Sequence, residues 1–191
     1  MDIARLASRA KSILLSPKTE WTLIGAEKSA HTQLLTSWLL PLALIPAVAA
    51  LIGYGFIGSS TGGAHAASLG LGLRQALLQI LSLIGGAYIT AFIINALAEK
   101  FASEKNLDRA FALTVYSYTP ACLGGVFQLV PSLSFLGSLA GLYGLYLLYA
   151  GLTPLMKTPP EKNARYFAAS LLCILGVFLV LSALLGVMLM V

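Results

Sequence analysis

The fold is decided by the longest stretch of the chain without an acidic or basic residue, Ala110 to Met156, which reads AFALTVYSYTPACLGGVFQLVPSLSFLGSLAGLYGLYLLYAGLTPLM. A helix needs about 20 predominantly apolar residues to cross a membrane, so this stretch is long enough for two crossings. Pro131 lies near its middle and two serines follow it, a combination that breaks a helix and favours a turn. The sequence therefore predicts two spans, at about residues 110–130 and 133–156, joined by a short turn.

Three further stretches lack acidic and basic residues, and each is long enough for a single span: about residues 34–58, 75–98 and 166–191. The composition agrees, because 58% of the residues are hydrophobic and 10% are charged. Soluble domains carry roughly 25% charged residues. We therefore predict an all-α integral membrane protein with five transmembrane helices in residues 34–191, preceded by an N-terminal segment in residues 1–33.

All Lys and Arg residues except Arg74 fall in three segments that lie on the same side of a five-span protein. They are Arg5, Arg9, Lys11, Lys18 and Lys28 before the first span, Lys100, Lys105 and Arg109 between the second and third, and Lys157, Lys162 and Arg165 between the fourth and fifth. Short loops rich in Lys and Arg are retained in the cytoplasm, which predicts a cytoplasmic N-terminus and a C-terminus on the opposite side. This spread of charge also argues against a nucleic-acid partner, which needs one basic face.

The N-terminal segment contains an amphipathic helix with apolar residues at helical spacing, namely Ile3, Leu6, Ala7, Ala10, Ile13 and Leu14. Such a helix lies in the membrane plane with its basic residues among anionic headgroups, so Arg5, Arg9 and Lys11 are candidate lipid-binding residues. Ser16 and Pro17 end this helix and begin another, on which Trp21 is a candidate interfacial anchor. The alternative is a helix that only braces the first span.

No charged residue lies within the predicted spans. Proton relays, ion-coupled transport and hydrolytic catalysis generally need ionisable groups, so the sequence predicts a protein that is not an enzyme and uses no cofactor. Cys122 and Cys173 lie in spans without metal-ligand partners, which favours small hydrophobic roles and no metal site.

Neutral polar residues do occur within the spans, chiefly near their cytoplasmic halves. The members of this polar set are Asn95, Tyr116, Tyr118, Thr119, Tyr143, Tyr146 and Tyr149. A phenol or amide in hydrocarbon needs a partner, so we expect these side chains to converge. Two interpretations stay open: hydrogen bonding between helices, or a polar cavity open to the cytoplasm.

Prolines and small residues mark kinks and close helix packing. Pro41, Pro46 and Pro120 predict kinks, because proline lacks the amide proton that the helix ladder needs. Candidate packing residues are Ser82, Gly86, Gly137, Gly141, Gly144, Ser182 and Gly186. Small residues spaced by four allow a second helix to lie close, within one subunit or between subunits.

Four segments together resemble the bacterial branch of the Yip family: LLSPKTEW at 14–21, LPLALIPA at 40–47, YSYTP at 116–120 and LYGLYLLY at 142–149. The Gly-Tyr-x-x-x-Pro motif of eukaryotic members matches Tyr116 and Pro120, with Val115 in place of the glycine. Their Asp-Leu-x-Gly-Pro motif is echoed by Leu39 and Pro41.

The resemblance implies five spans, a cytoplasmic N-terminus and the inner membrane of a bacterium. Eukaryotic members interact with Ypt/Rab GTPases in vesicle traffic, so it also implies a role in membrane organisation or protein interaction. We therefore expect a non-enzymatic scaffold that contacts anionic phospholipid and forms a homo-oligomer or binds another membrane protein. The rival is a channel or carrier for a neutral small solute or lipid, using the polar set.

Overall fold

The structure, a computed structural model, describes residues 3–27, 29–61 and 64–188 and consists of helices joined by short connections. Two N-terminal helices, α1 (Ile3–Leu15) and α2 (Pro17–Ala26), precede five long helices. These are span one (His31–Ile57), span two (Leu69–Phe101), span three (Leu107–Leu129), span four (Pro131–Met156) and span five (Pro160–Ser182, in a helix that continues to Met188). All five are long and apolar enough to cross a membrane, which confirms the predicted fold class. Lys28 and Val191 lie outside the described residues.

Span one is irregular where its sequence is unusual. It runs as α-helix over His31–Leu34 and Leu40–Ile52, and as wider π-helix over Leu35–Leu39 and Gly53–Ile57. The first π-helical segment ends just before Pro41, which cannot donate a backbone hydrogen bond. Pro46 lies inside the second α-helical segment. The span is followed by a short antiparallel ladder of β1 (Ser59–Thr61) and β2 (Ala64–Ala66), in which Ser59 pairs with Ala66.

Span three is the central helix, and 72% of its most apolar window is buried against 11% for span five. Its α-helical parts are Leu107–Ser117 and Thr119–Gly124, with Tyr118 at the joint directly before Thr119 and Pro120. A 3₁₀ segment, Gly125–Leu129, closes the span, and Val130 then adopts an extended conformation before Pro131. The break between spans three and four therefore falls where the sequence predicted it.

Span four lies against span three through positions that have no room for a side chain. A Cβ added to Gly144 would lie 2.6 Å from the Ser117 carbonyl oxygen, and one added to Gly137 would lie 3.0 Å from the Gly124 carbonyl oxygen. At Gly141 an added Cβ would meet nothing within 4 Å. Gly137 and Gly141 are spaced by four residues, but only Gly137 packs within the subunit, and Gly141 faces open space.

The other predicted packing positions divide in the same way. Gly86 is buried, and an added Cβ would lie 3.4 Å from the Tyr118 hydroxyl and 3.5 Å from Phe178. Ser82 is exposed, and Ser182 is exposed with its hydroxyl bonded to the Leu179 carbonyl at 2.8 Å. Gly186 lies on the helix beyond the residues whose surroundings the structure describes.

Helices α1 and α2 form a hairpin that packs on the bundle. Helix α2 runs beside span four in the same direction: the Tyr143 hydroxyl donates to the Leu14 carbonyl at 2.7 Å, Trp21 lies on Gly151, and Gly25 lies on Pro154. Tyr143 is about 20 Å from Met156 at 1.5 Å rise per residue, so the hairpin corner reaches that far down the bundle. The rest of α1 returns along α2.

The hairpin corrects the expected surface orientation of the N-terminal helix. Ala10 and Ile13, on the apolar face of α1, are buried against the rest of the chain. Trp21 is also fully buried and is therefore not an anchor at the lipid surface. The apolar face of α1 exists as predicted, but other helices of the same chain cover it. Burial against protein and burial in lipid produce the same apolar periodicity in a sequence.

Candidate functional site

The three basic segments of the sequence meet at one end of the bundle, which we call the basic end. The Glu104 amide donates to the Met156 carbonyl at 2.8 Å, and the Arg109 guanidinium donates to the Leu155 carbonyl at 3.3 Å. Asp108 accepts the His31 backbone amide at 2.8 Å and also contacts the His31 ring. These contacts connect the start of span one and the two basic loops. Segments on the same side of a membrane are separated by an even number of crossings, as these segments are.

Arg9 is the centre of the most extensive polar network at this end. Its Nε donates to Glu20 Oε1 at 2.9 Å, and its two terminal nitrogens hold both carboxylate oxygens of Glu27, one of them at 2.9 Å. Nη1 also donates to the Tyr116 hydroxyl at 3.3 Å, with the guanidinium carbon 5.7 Å from the centre of that ring. We call these four residues the Arg9 cluster. It joins α1, α2 and span three.

Two carboxylates against one guanidinium give the Arg9 cluster a formal charge of −1. The hydrogen bonds that Arg9 donates to Glu27 are the main cause that raises the pKa of Arg9 above its ordinary value, and burial opposes them. Glu20 is buried, so its carboxylate depends on Arg9 for compensation. The cluster is therefore a fixed charge arrangement that holds α1 on α2 and span three.

Glu104 is the centre of a second, more exposed group. It accepts from Lys157 at 2.7 Å and from Arg109 at 3.0 Å. The hydrogen bond from Lys157 is the main cause that lowers the pKa of Glu104. Because the group is solvated, its effect on stability is small. It fixes the loop after span two against the end of span four.

Two cavities flank the Arg9 cluster. The inner cavity, of about 480 Å³, lies between α2 and the starts of spans one and three, and carries Glu27, Glu104, Asp108 and Arg109 on its wall. The outer cavity, of about 510 Å³, lies between α1 and the start of span one, and we call it the crevice. Both cavities are lined by Glu27 and Tyr116 of the Arg9 cluster and by Ser29 and Leu34, so these four residues separate them.

The structure divides the predicted polar set instead of gathering it. Tyr116 joins the Arg9 cluster, while the Tyr118 hydroxyl pairs with Thr90 at 3.1 Å. Tyr146 and Tyr149 lie on the outer face of span four, 45% and 40% exposed, and Tyr143 bonds to α1. The remaining two, Asn95 and Thr119, each have a buried side-chain oxygen that finds no hydrogen-bond partner among the residues that the structure describes.

The predicted lipid-binding residues also separate. Arg9 points into the Arg9 cluster and is partly exposed, whereas Trp21 points into the core and is fully buried. Arg5 and Lys11 are on the exposed part of α1. Arg9 lies on the side of α1 that faces the protein because Glu20 in α2 and Glu27 just after it compensate its charge. The residue pattern within α1 alone does not reveal these partners.

Residues 11–184 match the Yip1 domain. The chain belongs to the Yip1 domain family. Among curated relatives is "Inner membrane protein YohC" of Escherichia coli K12, 26% identical over 160 residues, which are 81% of this chain and 82% of the relative. The protein of the same name in Escherichia coli O6:H1 has the same identity and coverage. No solved structure matches the chain.

The two residues that matched the Yip motif have structural roles in this family member. Tyr116 carries the contact with Arg9 and packs between Trp21 and Trp38, at ring distances of 6.3 and 4.6 Å. Pro120 follows the joint in span three, and its ring lies 3.9 Å from the position of a Cβ on Gly144. The motif therefore marks where the hairpin and span four lie on span three.

Several polar residues that connect elements of the basic end were not among the predicted site residues. Glu20 and Glu27 hold Arg9, and Asp108 holds His31, across separations of 11, 18 and 77 residues. Tyr166 is fully buried and donates to the Ile94 carbonyl at 2.5 Å, which joins span five to span two. The only available signal was that acidic residues occur in otherwise basic segments, and it does not identify their partners.

Proposed function

We propose that this Yip1-family chain is a non-enzymatic, multi-pass inner-membrane protein that binds lipid or protein partners at its basic end and organises them in the membrane. The observation that carries the proposal is the Arg9 cluster: a network of charges and aromatic rings fixes the hairpin on the bundle, with a cavity on each side. Cavities of several hundred Å³ with mixed polar and apolar walls are typical binding sites.

The polar contacts between spans favour a role in helix packing over a path for a solute through the bundle. Tyr118 and Thr90 satisfy each other, and Tyr116 is occupied by Arg9. Between the basic end and Tyr116, span three is buried on all sides, and its side chains there are mainly apolar, including Phe111, Leu113 and Val115. A buried apolar helix at the centre of the bundle leaves little room for a hydrated path.

One observation favours the rival function, a channel or carrier for a neutral solute or lipid. Within the described part of the chain, the buried hydroxyl oxygens of Ser117, Thr119 and Ser170 have no hydrogen-bond partner. The same is true there of the Asn95 amide oxygen. Polar atoms of this kind are commonly satisfied by water. A file of water along spans two, three and five would supply those partners and a path for a solute.

Solute efflux and conductance of proteoliposomes separate the two functions. We expect no flux from vesicles that contain folded protein, and we expect Tyr118→Phe to lower stability by about 1 kcal/mol by removing one hydrogen bond. Tyr149→Phe is the matched control, because that tyrosine is exposed. Flux that Tyr118→Phe alters and Tyr149→Phe leaves unchanged would overturn the scaffold proposal and support a channel.

The proposal also includes orientation and assembly. The basic end lies in the cytoplasm, since the Lys and Arg segments converge there, and the relative's name places that protein in the inner membrane. The exposed face of span four around Gly141 supports contact with a second copy in a homo-oligomer, or with another membrane protein. Anionic phospholipid contacts the exposed basic residues of the hairpin, such as Lys11.

A further inference from the structure

The crevice between α1 and span one combines three kinds of wall. Arg5 and Arg9 contribute guanidinium groups, and Glu27 contributes a carboxylate. Ser29, Gln33 and Ser37 contribute neutral hydrogen-bonding groups, while Leu6, Leu34 and Trp38 are apolar. An apolar cavity would suit an acyl chain alone, and a basic one would suit a simple anion. This mixed wall instead matches a ligand with both charges and an apolar part.

Donor capacity remains in the crevice after the internal contacts are made. A guanidinium has five N–H donors, and the Arg9 cluster uses four of those on Arg9. Each carboxylate oxygen accepts two hydrogen bonds, so Glu27 keeps acceptor capacity beside its contacts with Arg9. Trp38 is 4% exposed and its indole N–H has no partner in the described part of the chain.

We infer that the crevice binds the headgroup of a phospholipid that carries both a phosphate and a primary ammonium group, as in phosphatidylethanolamine. The phosphate accepts from the remaining Arg9 donor and from Arg5, and the ammonium donates to Glu27. A guanidinium and a carboxylate on one wall complement a zwitterion better than a headgroup with negative charge alone. This inference rests on the proposed function and specifies the lipid class that the basic end recognises.

The apolar side of the crevice gives the acyl chains a path. Leu6, Leu34 and Trp38 lie in the crevice itself. Farther along span one, Leu44, Val48 and Ile52 are exposed at a spacing of four residues, which places them on one face of the helix. A lipid held by its headgroup would lay its chains along span one. A soluble headgroup without chains would lose that contribution.

Native mass spectrometry of the full chain, purified in mild detergent with equal amounts of phosphatidylethanolamine, phosphatidylglycerol and phosphatidylcholine, tests the inference. We expect about tenfold greater retention of phosphatidylethanolamine, the ratio that one charge-assisted hydrogen bond gives. Ser37→Trp, which fills the crevice, should abolish this preference. Thr36→Trp is the matched control, because Thr36 is exposed and does not line the crevice.

A second pair of variants separates recognition from stability of the hairpin. Glu20→Gln and Glu27→Gln each remove one carboxylate partner of Arg9, but only Glu27 lines the crevice. We expect Glu27→Gln to lose the preference for phosphatidylethanolamine and Glu20→Gln to keep it, with melting temperatures measured for both. Addition of millimolar glycerophosphoethanolamine should not displace the lipid, because the free headgroup lacks acyl chains.

Equal retention of the three lipids would overturn the inference, as would a preference for phosphatidylglycerol or equal behaviour of the two glutamine variants. Displacement by the free headgroup would overturn the assignment of a lipid as the ligand. None of these results concerns solute flux, so each leaves the proposed function standing. A chain that conducts solute would fail the proposed function whichever lipid it retains.

Discussion

Arg9 and Lys11 lie two residues apart on α1 and carry the same charge, yet their surroundings are opposite. Arg9 is held by two carboxylates and a phenol, whereas Lys11 is exposed. Arg9 contacts Glu27 through two hydrogen bonds and contacts Glu20 and Tyr116 through one each. This set of directions requires a planar guanidinium, which a lysine ammonium cannot replace. This position therefore stabilises the hairpin through geometry as well as charge.

Arg9→Gln should destabilise the protein by about 2 kcal/mol, because it leaves the buried Glu20 carboxylate without its charged partner. Lys11→Gln makes the same change of charge on the exposed side and should leave stability unchanged. The measurement is thermal unfolding of both variants in the same mild detergent. Equal melting temperatures for the two would contradict the role assigned to the Arg9 cluster.

The sequence marked Arg9 as a candidate lipid-binding residue but did not indicate its contacts with Glu20 and Glu27. A helical pattern places a residue on one face, and it contains no information about a partner 11 or 18 residues away. The same limit applies to Trp21, since an aromatic residue at a membrane interface and one buried against Gly151 look alike in sequence. Burial of a charge is decided by its partner, and partners come from the tertiary fold.

Among the elements, span four carries two faces with different roles. Gly144 faces the backbone of span three at Ser117, where an added Cβ would be 2.6 Å from the carbonyl oxygen. Gly141 faces open space. Substitutions at these two glycines can therefore distinguish packing within the subunit from contacts between subunits.

Gly144→Leu should destabilise the fold by at least about 2 kcal/mol, because a leucine there must push the two helices apart. Gly141→Leu should keep the melting temperature and reduce the size of the proposed homo-oligomer, because its side chain would project from the outer face. Thermal unfolding and size-exclusion chromatography with light scattering measure the two effects. An unchanged size for Gly141→Leu would remove this face from the proposed oligomer interface, and an unchanged stability for Gly144→Leu would contradict the packing described here.

The number of long helices could be predicted from sequence, because a long stretch without charged residues can be accommodated in a membrane almost only as a spanning helix. The ends of the helices could not, because a helix continues into charged residues beyond the membrane: span two includes Glu99 and Lys100. The π-helical segments of span one were also not predicted. The first of them, Leu35–Leu39, ends just before Pro41, which interrupts the hydrogen-bond ladder, and a proline alone does not specify which helical geometry accommodates it.

At the scale of the whole molecule, the two ends of the bundle differ in kind. The basic end combines the hairpin, the Arg9 cluster and the Glu104 group, with ion pairs that connect α1, α2 and both basic loops. The opposite end includes the short β1–β2 ladder and the break at Val130. The charge pattern thus grouped these segments correctly, and the fold brings them together at one end of the bundle.

The last prediction concerns which side of the membrane the basic end faces. In a background with Cys122→Ser and Cys173→Ser, Lys105→Cys places a thiol on the exposed loop of the basic end, and Ser68→Cys places one at the exposed start of span two. Lys and Arg resist translocation, so we expect a membrane-impermeant maleimide to label Ser68→Cys in intact cells and Lys105→Cys only after permeabilisation. The reverse pattern would invert the orientation and place the crevice on the periplasmic side. Labelling of both thiols in intact cells would mean that the number of crossings between them is even.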